Sequence, residues 1–156
     1  MCRHLGVDRI QEYYGVDYSP KFIDVLKDEI PQGHFFCRDI DTDSLDFDGK
    51  KFDCILMAAL IEHLHNQRHI MSEVTKALKP GGVVVMTTPP PFENDIVHHA
   101  GAKIGVFAAS AMDDHIVIYN KHRFGINMVR DMGLDIALYE TFQFGCNQLV
   151  VLQAPA

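Results

Sequence analysis

Two pairs of adjacent residues in this chain could do chemistry. Glu62 and His63 follow an apolar run that begins at Phe52. Imidazole titrates near pH ~6.5, so His63 could act as a general base at neutral pH, with Glu62 beside it. Asp17 ends a short stretch with a strand pattern and is followed by Tyr18. An acid at such a strand end can accept hydrogen bonds from the hydroxyls of a ribose, which predicts a nucleotide-containing ligand.

Each of these residues also has a purely structural interpretation. Asp17 could be a solvent-exposed acid, and a NAD-binding fold would place an acid at the same point. Glu62 would be favourable at any helix N-terminus, because a carboxylate interacts well with the helix dipole there. His63 could pack against that turn or cap it. The sequence alone leaves these alternatives open.

The elements that would position these residues alternate between strands and helices. Four stretches have strand patterns: 12–17, 34–37, 52–57 and 83–86. The last two are continuous enough in apolar residues to be strands covered on both faces. One helix is predicted to begin at Ser19-Pro20, and another to cover 61–78 and end at the Pro80-Gly81-Gly82 turn.

This alternation predicts an α/β fold, a three-layer sandwich around a Rossmann-like, mostly parallel sheet. A further helix is predicted over 121–132, ended by Gly133. The last two strand patterns, 134–141 and 148–153, are predicted to form an antiparallel pair. The length of 156 residues predicts a single domain over 1–156.

Composition argues against several classes of partner. The formal net charge is −7 and there is no run of Lys or Arg, which disfavours nucleic acid and anionic membranes. No apolar run approaches the roughly 20 residues that span a bilayer. The four cysteines form no C-x-x-C pair, so free and buried cysteines in a reducing cytosol are expected, and the predicted location is cytoplasmic.

The segment FDCILMAALIEHLHNQRHIMSEVTKALKPGGVVVMTT, residues 52–88, together with Asp17 upstream, resembles the class I S-adenosylmethionine-dependent methyltransferases. It is most similar to the small-molecule subgroup that has Glu-His-Leu after the fourth strand, here Glu62-His63-Leu64. The resemblance implies S-adenosylmethionine as cofactor and methyl transfer to an oxygen, nitrogen or carbon of a small molecule. It also implies that Glu62 and His63 lie at the active-site mouth as catalytic residues.

The resemblance also implies a set of cofactor contacts. Six residues are expected to bind the cofactor: Asp17, Tyr18, Asp39, Ile40, Met57 and Ala58. Asp39 would pair with the adenine amino group, and Ile40 would lie on the ring. The loop at Met57 and Ala58 would run beside the methionine part. Some relatives bind a divalent metal through E-x-x-E-H, but the first Glu falls on Ala59 here, so no metal is expected.

The glycine-rich turn of this family has no match in the sequence. It would lie about 20 residues before the acid at the end of the second strand, but only 16 residues precede Asp17 and none reads G-x-G. The resemblance therefore predicts that the first strand is missing, that the domain is incomplete at its N-terminus, and that these 156 residues bind the cofactor weakly. Residues 1–11 could fill the gap, or a second copy or a partner chain could complete the sheet, but a shortened version of a longer protein is the favoured expectation.

Two rival functions follow from the same features. One is a catalytically inactive methyltransferase-like module that binds a partner. The other is a NAD-binding domain, which is disfavoured because the Lys79-Pro80-Gly81-Gly82 turn and the terminal antiparallel pair both resemble methyltransferases.

The stretch that follows the 83–86 strand is expected to shape the substrate entrance. Thr88-Pro89-Pro90-Pro91-Phe92 resembles the motif of DNA-base methyltransferases, but it is one proline out of register and the net charge opposes DNA binding. The insertion 89–114, with His115 after it, is expected to set substrate choice. The acceptor itself does not follow from the sequence.

Overall fold

The protein is described by a computed structural model that covers residues 10–90, 120–121 and 130–156. Contacts within the chain divide it into two compact units, Met1–Ser44 and Leu45–Ala156. Both units contain strands and helices in the α/β arrangement that was predicted. The expectation of one domain stays a prediction.

The first unit is a strand–helix–strand motif. Strand β1 (Tyr14–Asp17) lies parallel to β2 (His34–Cys37), and helix α1 (Pro20–Glu29) connects them. The helix begins where the sequence predicts, with Ser19 in extended conformation at the N-cap and proline at the first helical position. Proline suits this position because its fixed φ is already helical and its missing N–H would have no helical partner.

A small apolar core holds the first unit together. Ile23 and Ile30 of the helix region and Phe35 of β2 are buried, and Tyr13 and Leu26 pack against them. The Tyr13 and Phe35 rings lie 5.7 Å apart in a tilted arrangement. These contacts hold the helix against the strand pair.

The second unit begins with a parallel strand pair. Strand β3 (Phe52–Ala58) is followed by a 3₁₀ turn (Ile61–His63) and by helix α2 (Gln67–Ala77). The chain then enters β4 (Leu78–Thr88), which pairs parallel to β3. The carboxyl ends of both strands therefore lie at the same edge of the sheet, where ligands bind in open α/β sheets.

Two antiparallel strands complete this sheet, as predicted. Strand β5 (Asp135–Phe142) pairs antiparallel with β6 (Asn147–Gln153), and β6 pairs antiparallel with β4, so the strand order is β3-β4-β6-β5. Gly133 has a φ of +68°, which suits the end of the predicted helix over 121–132. Residues 122–129 of that helix lie outside the described residues.

The core of the second unit lies on one face of the sheet. Val84 and Met86 of β4 face Leu152 and Val150 of β6 across the ladder, and all four side chains are buried. The buried residues of α2 are Ile70, Met71, Val74 and Ala77. The apolar positions of α2 recur at helical spacing, which explains why they can all be buried together. In the described part of the chain, no helix is long and apolar enough to cross a membrane.

The single helix predicted over 61–78 is wrong, because a break separates its first turn from the rest. Asn66 caps α2, and its side chain accepts a hydrogen bond of 3.3 Å from the backbone N–H of His69. Asparagine favours this role over a place inside a helix. Glu62 is therefore in a separate 3₁₀ turn. It is not at the N-terminus of α2, so a favourable interaction with the dipole of that helix does not explain its position.

The burial predicted for β3 is also wrong. The sequence predicts a strand covered on both faces, but only Met57 is buried, whereas Asp53, Leu56 and Ala58 are exposed. Within the described residues β3 pairs with β4 alone, so its other edge is open. The free cysteines Cys37 and Cys54 are likewise exposed rather than buried.

The turn at Lys79-Pro80-Gly81-Gly82 lies inside β4 rather than between helix and strand. The register with β3 shifts there, from Phe52 opposite Leu78 to Cys54 opposite Val83. A Cβ on Gly82 would lie 2.9 Å from the backbone oxygens of both Lys79 and Phe52. Glycine at this position therefore lets the two strands approach each other.

We expect Gly82→Ala to lower the free energy of unfolding by about 1–3 kcal/mol, because backbone atoms must move to admit the methyl group. Gly81→Asn is the control. Gly81 has a φ of +71° with no atom near its missing Cβ, and asparagine tolerates this conformation. Chemical denaturation of both variants measures the difference, and equal losses would contradict the close approach at Gly82.

Candidate functional site

Asp17 ends β1 with one carboxylate oxygen already fixed. Its Oδ1 accepts a hydrogen bond of 2.8 Å from the backbone N–H of Ser19, which orients the carboxylate at the start of α1. Its Oδ2 has no hydrogen bond to a described residue. The neighbouring Tyr18 side chain is 79% exposed. A half-buried, oriented carboxylate with one spare oxygen suits a pair of ribose hydroxyls.

Asp39 lies two residues beyond the end of β2, at the same edge of the strand pair as Asp17. Its backbone N–H donates to Asp43 Oδ2 at 2.9 Å, and its Oδ1 accepts from the N–H of Asp41 at 3.0 Å. Asp39 is exposed and Ile40 is half-buried. Asp39 therefore shapes a tight turn, and its contact with adenine stays a prediction.

The chain leaves β3 through a strained turn. Ala59 has a φ of +48°, which is uncommon for a residue with a side chain. Its N–H donates both to the Thr87 backbone oxygen at 2.9 Å and to Thr87 Oγ1 at 3.1 Å. Met57 lies in the core and Ala58 is exposed. Such strain persists only where the surroundings hold it, and it often marks functional sites.

Glu62 is the most unusual residue of this region. Its side chain is 1% exposed, and its Oε2 atom has no hydrogen-bond partner among the residues that the structure describes. Leaving a buried carboxyl oxygen unpaired is costly, because the group has lost its hydration without compensation. The sequence predicted the residue but not its burial. A buried, unpaired acid at the carboxyl edge of a parallel strand pair is suited to bind a donor group on a ligand.

His63 is exposed although its neighbour is buried. Its backbone N–H donates to the carbonyl oxygen of Leu60 at 3.1 Å, which closes the 3₁₀ turn. The turn therefore brings an accessible imidazole and a buried carboxyl group into adjacent positions. An accessible imidazole can exchange protons with a bound molecule and with solvent.

A second polar group at this edge was not found from the sequence. Thr88 and Gln148 lie opposite each other in the β4–β6 ladder, and both side chains are 0% exposed. Gln148 accepts a hydrogen bond of 2.7 Å from Tyr139 Oη and donates one of 3.1 Å to the Pro89 carbonyl oxygen. The sequence feature that could have indicated this group is Gln148 itself, a polar residue at the start of the apolar run of β6.

The prediction that no metal is bound stays a prediction. Among the residues that the structure describes, no three His, Cys, Asp or Glu side chains come together as a metal site. Residues 91–114 of the predicted insertion 89–114, which include His98 and His99, lie outside the described residues, and so does His115.

We expect Glu62→Gln to stabilise the fold by about 1–3 kcal/mol, because the unpaired carboxyl group is replaced by a neutral amide. For a chain of this size, each kcal/mol corresponds to a rise of about 2–4 °C in Tm. Differential scanning calorimetry of the unchanged chain and of Glu62→Gln measures this difference in Tm.

The matched control for Glu62 is Glu73→Gln. Glu73 accepts from the Leu45 N–H at 3.1 Å and pairs with Lys76 Nζ at 2.9 Å, so its replacement is expected to lower Tm. A fall in Tm for both variants would show that the carboxyl group of Glu62 is satisfied in the folded chain.

Comparison with known families agrees with this geometry. The family described as methyltransferase domain matches residues 1–86, more than half of the chain. The chain therefore belongs to this family of class I S-adenosylmethionine-dependent methyltransferases. The predicted family, the α/β fold class and the cofactor S-adenosylmethionine are confirmed. The Glu-His-Leu subgroup and the missing first strand stay predictions.

The curated relatives match a shorter part of this chain than the family does. The ubiquinone biosynthesis O-methyltransferase of Coxiella burnetii is 32% identical over 78 residues, which is 47% of this chain and 32% of the relative. The chain therefore matches about a third of the length of the curated relatives.

Solved structures show the same fold. The [4+2]-cyclase SpnF has a TM-score of 0.74 at 12% identity, over 99% of this chain and 70% of that one. An S-adenosylmethionine-dependent methyltransferase from Clostridium acetobutylicum has a TM-score of 0.67 at 11% identity, over 94% of this chain and 76% of that one. At these identities the likeness describes the fold and not the reaction.

Proposed function

We propose that this chain transfers a methyl group from S-adenosylmethionine to an oxygen atom of a small-molecule acceptor. The observation that carries the proposal is Glu62, a buried acid with an unpaired oxygen, beside the exposed His63 at the carboxyl end of β3. The unpaired oxygen of the buried acid opposes folding. An arrangement that costs stability is expected where it serves binding or catalysis.

The residues at the end of β1 fit the ribose of the cofactor. Asp17 offers an oriented carboxylate, and the side chain of the neighbouring Tyr18 is exposed. Asp39 and Ile40 would contact the adenine, and the backbone at Met57 and Ala58 would lie beside the methionine part. S-adenosylmethionine supplies a sulfonium methyl group that is already strongly electrophilic, so the protein chiefly has to align the acceptor and exclude water.

Glu62 and His63 would act on the acceptor. A neutral hydroxyl is a poor nucleophile, and removing its proton during transfer makes it a better one. His63 would take this proton on an imidazole nitrogen, because its side chain is exposed and an imidazole nitrogen is a proton acceptor. Glu62 would accept a hydrogen bond from the same acceptor or from the imidazolium that forms. General-base catalysis of this kind contributes about 10²–10⁴-fold.

An oxygen acceptor and a small molecule are supported by different observations. The curated relative is named as an O-methyltransferase, although the match covers only a third of its length. The net charge of −7 opposes binding to nucleic acid or to an anionic membrane surface.

A methyl-transfer assay tests the proposal. The chain would be incubated with S-adenosylmethionine labelled in the methyl group and with acceptors that share one ring and differ in bearing a hydroxyl, an amine or a thiol. We expect label in the hydroxyl compound and less in the others. Transfer to the amine or the thiol alone would contradict an oxygen acceptor.

A binding module without catalysis is the second candidate, favoured by the open strand edges. In the residues described, β1 pairs only with β2 and β3 only with β4, so each strand has an unpaired edge. A strand from a second copy or from a partner chain could pair there. Light scattering over a range of protein concentrations tests self-association. A monomer throughout, with measurable methyl transfer, would exclude this candidate as the main function.

A further inference from the structure

The hydroxyl of Thr88 is buried without a hydrogen bond. Thr88 is the last residue of β4, and its side chain is 0% exposed. Within the described part of the chain, its Oγ1 has no hydrogen-bond partner. Buried polar groups in native proteins are nearly always paired, so each exception needs an explanation. Thr88 lies at the carboxyl edge of the β3–β4 pair, the edge where α/β sheets bind ligands.

The obvious partner for this hydroxyl is already engaged. Gln148 lies directly opposite Thr88, and residues opposite each other in an antiparallel ladder bring their side chains together on one face. The Gln148 oxygen accepts from Tyr139 Oη and its nitrogen donates to the Pro89 carbonyl. These two bonds hold the amide in place while Thr88 Oγ1 stays unpaired.

Tyr139 keeps this arrangement in one protonation state. Burial raises the pKa of Tyr139, so its hydroxyl remains a donor to Gln148 at neutral pH. Lys121 Nζ lies 5.6 Å from the centre of the Tyr139 ring, within the range of a cation–π contact. The amide of Gln148 therefore has a stable partner and no reason to turn toward Thr88.

Beyond the Thr88–Gln148 pair, the next described residues on this face are apolar. Met86, two residues earlier in β4, faces Val150 of β6, and both are fully buried. An unpaired hydroxyl beside one engaged amide and several apolar side chains fits a specificity site, where few polar groups orient a mostly apolar ligand. Because the hydroxyl is closed to solvent, the groups around it must shift when such a ligand binds.

We propose that Thr88 is a specificity-determining residue whose hydroxyl binds a hydroxyl or carbonyl oxygen of an apolar ring compound, the methyl acceptor. The identification of this compound as the acceptor rests on the proposed function, whereas the binding itself does not. Gln148 and Tyr139 are positioning residues. Their hydrogen bond keeps the Gln148 amide away from Thr88, so the Thr88 hydroxyl can bind the ligand. Sites that hydrogen-bond a substrate hydroxyl reject analogues without it, so Thr88 would select against rings that lack oxygen.

The test uses phenol and toluene, two probes of nearly the same shape that differ in the hydroxyl. Binding to the 156-residue chain without cofactor is followed by NMR of methyl-labelled methionine, with Met86 as the reporter. We expect a saturable shift of the Met86 methyl signal with phenol and weaker binding of toluene. No saturable shift with phenol, or equal affinity for both probes, would overturn the proposal. Loss of methyl transfer with intact phenol binding would instead count against the proposed function alone.

Two substitutions of Thr88 distinguish a ligand-binding role of its hydroxyl from a purely structural one. Thr88→Val keeps the shape and removes the hydroxyl, so phenol affinity is expected to fall about 3–10-fold while Tm stays the same or rises. Thr88→Ser restores the hydroxyl and should restore the affinity. A lower Tm with unchanged phenol affinity in Thr88→Val would show a purely structural hydroxyl.

Thr87→Val is the matched control in the adjacent position. Thr87 Oγ1 accepts the Ala59 N–H at 3.1 Å, so its loss is expected to lower Tm without changing phenol affinity. The two threonines should thus respond in opposite ways. The same response in both variants would contradict a ligand-binding role for Thr88.

Discussion

Replacing His63 with alanine is expected to lower the rate of methyl transfer about 10²–10⁴-fold and to leave cofactor affinity nearly unchanged. The loss would come from the proton that the imidazole no longer takes from the acceptor hydroxyl. His63 is exposed in its 3₁₀ turn, so its removal is expected to cost little stability. Rate and Tm should be measured on the same preparation, with an acceptor found in the methyl-transfer assay.

The control for His63 is His65→Ala, which removes another exposed imidazole only two residues away. Its rate should stay close to that of the unchanged chain. A stable His63→Ala protein with full activity would remove the imidazole from the mechanism. Alignment of the acceptor with an already reactive methyl group would then be the main source of the rate.

Replacing Asp17 with alanine is expected to weaken cofactor binding by about 1–3 kcal/mol, which is a factor of about 5–150 in the dissociation constant. The two ribose hydroxyls would lose their acceptor. Titration calorimetry with S-adenosylhomocysteine measures this, at protein concentrations high enough for the weak binding that the sequence predicts.

Asp17 also has a structural role, which a second variant separates from binding. Its Oδ1 accepts the Ser19 N–H, so alanine removes a bond at the start of α1 as well. Asp17→Asn keeps that acceptor and changes only the second oxygen. We expect Asn to preserve Tm and still lose affinity, and the exposed Asp24→Ala to change neither. An unchanged dissociation constant in Asp17→Asn and Asp17→Ala would make Asp17 a structural acid only.

Local patterns in the sequence predicted those elements whose causes are local. Ser19-Pro20 placed the start of α1 correctly, because the cap and the fixed proline φ act within one turn. The terminal antiparallel pair was also found, since both strands are apolar runs bounded by turn residues. The family motif then connected these elements to a known fold, and the family match confirmed it.

The errors arose where distant residues decide the outcome. The apolar run at β3 predicted cover on both faces, but burial depends on which strands and helices lie against it. The capping by Asn66 was missed because the apolar period continues across it. The burial of Glu62 could not be predicted, since it depends on which elements pack around its turn. The engagement of Gln148 could not be predicted either, since its bond to the Pro89 carbonyl joins residues 59 positions apart in the sequence.

The most direct test of cofactor recognition is an NMR titration of the ¹⁵N-labelled chain with S-adenosylhomocysteine. Asp17 ends β1, and Asp39 lies two residues beyond the end of β2, its parallel neighbour, so the amides beyond both strands should report the same ligand. We predict saturable shift changes at Tyr18 and Ser19 after β1 and at Ile40 after β2, with one dissociation constant for all three. Absence of a saturable change at these amides, or changes confined to other parts of the chain, would contradict cofactor binding at the ends of β1 and β2.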